Sequence, residues 1–145
     1  MLRTEIVTLD HPGDEGPFRK RVYRGAIAAL AFCGQAHAAN PSHGEEIFKT
    51  TCAACHVAER DASRADLATR TGPNLWGVIG RKAGIYKGYA YSYAMRTSGI
   101  IWTEQKLARY IAAPQQTVPN VRMNFPGLKN PNDIQDVIAY LTTLR

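Results

Sequence analysis

The stretch TTCAACHV, residues 50–57, sets Cys52 and Cys55 three positions apart and His56 directly after the second. Two thiols and an imidazole at that spacing could hold a zinc ion, cycle a disulfide or anchor a haem. A structural zinc site takes four ligands in a tetrahedron. Once residues 1–38 are set aside as a signal segment, the chain offers one other histidine, His43, and no other cysteine. The adjacent pair Cys55 and His56 would also strain to reach one ion tetrahedrally. A redox dithiol belongs beside a βαβ pattern, and no such pattern surrounds this stretch. Covalent haem suits the five residues best. Two sulfurs on one turn can form thioethers with the two vinyl groups, and the next residue then aims its imidazole at the iron.

His56 fills one axial position. Met95, Met123 and His43 are the neutral donors left for the other. Met123 lies in a proline-rich loop with Val121 and Phe125 nearby, apolar surroundings that suit a thioether. A methionine is also an ordinary core filler, so the residues by themselves leave the second donor open.

The elements that must position these groups are short. PSHGEEIFKTTCAACH begins with Ser42 and Glu45 in capping-box spacing. Ile47, Phe48 and Thr51 can share one face of the short helix after that cap. Val57 to Thr71 is polar and reads as loop. TGPNLWGVIGRKAG is punctuated by glycine and proline and should be irregular. TEQKLARYIAAP reads as a helix capped by Thr103 and stopped before Pro114. QQTVPNVRMNFPGLKNPN reads as loop. NDIQDVIAYLTTL gives the clearest helix, with Ile134, Val137, Ile138, Leu141 and Leu144 on one stripe. The expectation is an all-α domain of three to four short helices with long loops. Its core is thin for its size, and an internal cofactor would fill it.

The rest of the chain bounds the setting. At 145 residues, 45% hydrophobic and 21% charged, it has room for one small globular domain. The net charge of +6 is scattered except for Arg19-Lys20-Arg21 and Arg24, so a nucleic-acid surface is not indicated. That cluster runs into GAIAALAFCG and then QAHAAN. Basic residues, a short apolar run and a small-x-small site make a secretory signal. With Ala36 and Ala38 at the −3 and −1 positions, cleavage would fall before Ala39. This assigns residues 1–38 to a signal peptide with an extended N-terminal lead and 39–145 to the functional domain. The apolar run is too short for a lasting membrane anchor, which needs about 20 residues. Cys33 comes after bulky Phe32, where a lipoprotein signal would carry a small residue. Removing residues 1–38 takes five of the 18 basic and four of the 12 acidic residues, leaving 13, eight and a net charge of +5.

From HGEEIFKTTCAACH onward the chain resembles class I cytochrome c, the soluble monohaem kind of bacteria and mitochondria. The resemblance implies a small cytochrome c fold wrapped around one haem c attached through Cys52 and Cys55. It makes His56 and Met123, in VPNVRMNFPGL, the two iron ligands. Pro73 matches the residue whose carbonyl holds the haem histidine. Arg81, Tyr91 and Trp102 match groups around the haem propionates, and Tyr110 matches the tyrosine near the axial sulfur. Gly44 and Phe48 match one side of the crossing between the terminal helices, Tyr140 and Leu141 the other. Two departures stand out. Val121 replaces a threonine that often binds a propionate in the family, and Gln115 and Gln116 replace lysines that mitochondrial members carry.

The signal segment implies the periplasm, and the resemblance implies a monomeric one-electron carrier rather than an enzyme. Its donor would be a quinol-oxidising complex, and its acceptor a terminal oxidase, a reductase or a photosynthetic centre. The alternatives are the haem subunit of a dedicated dehydrogenase, or a haem enzyme or sensor with an open sixth position.

Overall fold

The computed structural model describes residues 38–145, all of them within the unit Gln35–Arg145. The basic cluster, the apolar run and Cys33 of the proposed signal lie outside the described residues.

Six α-helical segments occur among the described residues: α1 (Pro41–Ile47), α2 (Arg64–Ala68), α3 (Tyr93–Thr97), α4 (Glu104–Ala112), α5 (Pro114–Thr117) and α6 (Pro131–Thr143). The only β pairing among them is one isolated antiparallel bridge, Lys82 with Ile101. None of these helices is long and apolar enough to cross a membrane. The architecture is all-α.

Helix α1 starts one cap earlier than its capping-box spacing suggests. Asn40 is the N-cap, its side-chain oxygen accepting from the amides of Ser42 and His43 at 3.1 and 3.3 Å. Pro41 then takes the first helical position, where its missing N–H costs nothing. Ser42 lies inside the helix. After Ile47 the coil widens into a π-helical stretch, Phe48–Cys52, closed by the Ala53 amide on the Phe48 carbonyl at 2.9 Å. Such widened turns concentrate at functional sites, and this one feeds directly into the Cys-Ala-Ala-Cys-His run.

Helix α4 is capped by Thr103, whose hydroxyl accepts from the Lys106 amide, and it ends at Ala112. Pro114 does not end helical structure altogether. It takes the N1 position of the one-turn α5, so Gln115 to Thr117 are helical rather than loop. Helix α2 is a single turn within the polar stretch expected to be loop, and α3 is another, too short to display a period. Each begins at a serine cap, Ser63 and Ser92.

Helix α6 buries its predicted stripe. Val137 and Leu141 are almost wholly enclosed, Ile138 and Leu144 nearly so, and Ile134 is half-buried. Each such side chain stabilises by about 1.5–3 kcal/mol relative to exposure. Helix α1 crosses α6 at Gly44, where a Cβ would stand 1.9 Å from the Asp136 carbonyl oxygen. Phe48 packs on Tyr140 beside this crossing, ring centroids 5.5 Å apart. Asp136 is buried there, accepting from the Asn40 amide at 2.7 Å and meeting the His43 Nδ1 at 2.8 Å. The terminal helices therefore form one rigid corner, and the π-helical end of α1 delivers the cysteines from it.

Candidate haem site

A tight turn assembles the chemistry. The amides of Cys55 and His56 both donate to the Cys52 carbonyl, at 3.0 and 2.9 Å. The segment after α2 wraps back over this turn. Arg70 donates to the Ala53 carbonyl at 2.7 Å, Gly72 to that of Cys55 at 2.9 Å and Leu75 to that of Val57 at 2.7 Å. The His56 Nδ1 lies 2.8 Å from the Pro73 carbonyl oxygen. A carbonyl can only accept, so Nδ1 carries the proton and Nε2 keeps its lone pair free. Burial pushes the His56 pKa below its usual value, against the opposing effect of the Pro73 bond. The ring is thus neutral near pH 7, as a metal ligand must be.

Gly72 is part of the same device. A Cβ there would come within 2.4 Å of the His56 ring. Only glycine lets the backbone pass so close to the imidazole, and nothing in the local sequence announces this.

The turn borders a cavity of about 380 Å³ with a mostly apolar wall. Every residue singled out in the sequence for this site reaches it: Cys52, Cys55, His56, Pro73, Arg81, Tyr91, Trp102, Tyr110 and Met123. Met95 borders it too, from inside α3, and is 5% exposed. His43 does not; it is engaged with Asp136 at the helix crossing.

Burial raises the Cys52 thiol to about 11, with a smaller push from Cys55. A thiol held neutral is a poor redox nucleophile. Among the described residues no group of three or more His, Cys, Asp and Glu side chains could hold a metal ion. The zinc reading therefore has no site.

The walls have distinct characters. Trp102 and Tyr110 pack together with centroids 4.9 Å apart, and burial raises the Tyr110 pKa far above its usual value. Arg81 is held by the carbonyls of Asn74 at 2.8 Å and Trp76 at 3.2 Å, and its guanidinium lies over the Tyr86 ring. Asn74 is itself buried, donating to the Glu59 carbonyl at 2.7 Å and accepting from the Trp76 amide at 2.9 Å. Its role in fixing Arg81 has no signature in the sequence. Desolvation lowers the Arg81 pKa, so this half-buried cation would gain from an anionic group on whatever fills the cavity. Tyr91 stands edge-on to Tyr89 at 4.7 Å, and Tyr89 donates to the Thr71 carbonyl at 2.8 Å. Val121 adds an apolar surface to the cavity.

These residues suit a haem. Two thiols and a locked, neutral imidazole border one side of an apolar space, with a methionine thioether and a desolvated cation on its walls.

Comparisons with known proteins agree. Residues 41–145 match the family described as Cytochrome c. Cytochrome c2 of Rhodopila globiformis is 41% identical over 112 residues, covering 77% of this chain and 100% of that protein. Cytochrome c of Sesamum indicum is 41% identical over 107 residues, covering 74% of this chain and 92% of the other. The solved structure of cytochrome cH from Methylobacterium extorquens superposes with a TM-score of 0.62 at 39% identity, covering 72% of this chain and 98% of that one. With a matching fold, a Cys-Ala-Ala-Cys-His turn at an apolar cavity, and a family match over the whole helical domain, the chain belongs to the cytochrome c family and carries one covalent c-type haem at Cys52 and Cys55.

Proposed function

We propose that this cytochrome c is an exported, monomeric one-electron carrier with His56 and Met123 as its axial ligands. The observation that carries the reading is the shared cavity. An imidazole with its Nε2 lone pair free and the Met123 thioether border the same apolar space. When bound, the haem supplies the one-electron iron couple. The chain's own residues do the rest. Pro73 fixes the imidazole and raises its basicity. Trp102, Tyr110, Leu107 and Val137 exclude water, and a dry, His/Met-ligated iron has a raised potential. Arg81 supplies a desolvated positive charge on the cavity wall that would suit the carboxylates of a haem. If His56 and Met123 both hold the iron, oxygen or peroxide would find no open position, which favours a carrier over an enzyme.

Residues 1–38 would direct export to the periplasm, with cleavage before Ala39. The net charge of +5 that remains favours docking on acidic faces of redox partners, weakened by salt. A quinol-oxidising complex as donor and an oxidase, reductase or photosynthetic centre as acceptor fit that charge and chemistry. The test is the far-red absorption of the ferric, haem-loaded protein. A sulfur-to-iron band there is the expected result; its absence at neutral pH would rule out methionine ligation and favour an open-site haem protein.

A further inference from the structure

The loop that carries Met123 is fixed at both ends. On one side Asn120 takes a left-handed turn (φ 63°) after Pro119, and the Val121 amide donates to the Val118 carbonyl at 3.2 Å. On the other, Gly127 lies so close to α4 that a Cβ would stand 2.0 Å from the Ala112 carbonyl oxygen. Leu128 then donates to Ile111 at 3.1 Å. The middle of the loop is held differently, by side chains. The Gln115 carboxamide donates to the Val121 carbonyl at 2.8 Å and, at a longer 3.4 Å, to that of Met123 itself. Those two carbonyls flank Arg122, which donates to the Ala90 carbonyl at 3.3 Å.

We propose that Gln115 is a positioning residue that clamps the Met123 loop over the cavity, a reading that rests on Met123 being the second axial donor. Gln115 is exposed, and an exposed glutamine has no apolar reason to adopt one pose. Here both acceptors are carbonyls, so the amide nitrogen must face them. Its own backbone is immobilised: it sits in α5 between buried Pro114 and buried Val118. The contact joins a fixed turn to the residue that must stay in place and to the one two positions before it. Withdrawing Met123 from the cavity would break this contact. The clamp therefore biases the loop toward the closed position. One hydrogen bond of ordinary net strength shifts such an equilibrium about three- to tenfold.

Imidazole added to the ferric, haem-loaded protein reads that equilibrium, because it must take the position Met123 holds. Its apparent affinity rises in proportion to the fraction of molecules whose loop is open. Gln115→Leu and Gln115→Glu both lose the donor and should bind imidazole about three- to tenfold more tightly than wild type. Gln115→Arg keeps N–H donors, cannot ligate iron and should stay near wild type. Thr117→Val is the structural control. It removes bonds to Arg109 and Ala113 in the same segment and should lower stability while leaving imidazole affinity unchanged. An unchanged affinity in Gln115→Leu overturns the clamp, provided that Met123→Ala binds imidazole far more tightly than wild type. If Met123→Ala binds it no more tightly, the ligand assignment has failed, and the clamp falls with it.

Discussion

A thioether is an uncharged donor that favours ferrous over ferric iron, so the residue that supplies it sets much of the potential. Met123→Ala should open the sixth position. No lysine borders the cavity among the described residues, so water would take the place. Water stabilises the ferric charge, and the potential should fall by roughly a few hundred millivolts, given the range that axial ligands span. The reduced variant should also bind carbon monoxide, which wild type should not do readily. Met95→Leu is the informative comparison, since Met95 borders the same cavity from a buried position. It should change the potential little. Redox titration of both variants beside wild type decides the matter; a large drop for Met95→Leu alone would transfer the ligand role to Met95. The cysteines and His56 are legible in the sequence because a turn of five residues carries their whole geometry. Gly72 and Asn74 are not. One is defined by the His56 ring that a Cβ would strike at 2.4 Å, the other by a carbonyl that holds Arg81 seven residues on. Contacts of that kind exist only after the chain has closed on itself.

The crossing of α1 on α6 shows how elements position those residues. At Gly44 the obstruction to a Cβ is backbone, the Asp136 carbonyl at 1.9 Å, and no rotamer change relieves it. Gly44→Ala must push the helices apart, at a cost of about 1–3 kcal/mol. In a domain of about 100 residues each kcal/mol lowers Tm by about 4–8 °C, so thermal unfolding should register it plainly; an unchanged Tm would mean that the crossing is looser than its geometry. His43 adds a pH dependence to the same corner. Its hydrogen bond to Asp136 raises its pKa, opposed by desolvation and helped by the charges of Asp136, Asp133 and Glu46. A proton bound more tightly in the folded state stabilises fully below the unfolded value, about 6.5, and the gain is lost as pH rises through the folded value. His43→Gln keeps a donor for Asp136 without the charge. The stability advantage of wild type over that variant should therefore be largest near pH 6 and shrink toward alkaline pH, while parallel stability profiles would rule the charge out. Helices α4 and α6 are legible because nine and 13 residues display a cap and a stripe. Helices α2 and α3, at five residues each, are too short to show a period. Asn40 escapes notice as a cap because a serine two residues later has the better-known spacing.

At the scale of the whole domain, the cavity and the core are largely the same thing. Phe48, Met95, Trp102, Leu107, Tyr110, Ile111, Val137 and Leu141 all belong to the buried cluster and all border the haem space. The thin core inferred from so many loops has this physical form: its side chains converge on a space that the protein itself does not fill. A haem seated there would give these side chains the apolar contacts that the chain itself does not supply, in a domain whose whole stability is only about 5–15 kcal/mol. The haem is therefore expected to be a structural part of the fold, with the thioethers keeping it in place when the chain loosens. Cys52→Ala combined with Cys55→Ala should consequently abolish covalent haem and leave a largely unfolded chain. Two measurements check it together. Haem staining after denaturing electrophoresis should be absent, and circular dichroism should show little cooperative helix melting. Covalent staining in the double variant would mean that the haem is attached elsewhere. A full helical transition without haem would mean that packing at α1, α4 and α6 outweighs the cavity, and that the cofactor is a passenger in a domain able to fold alone.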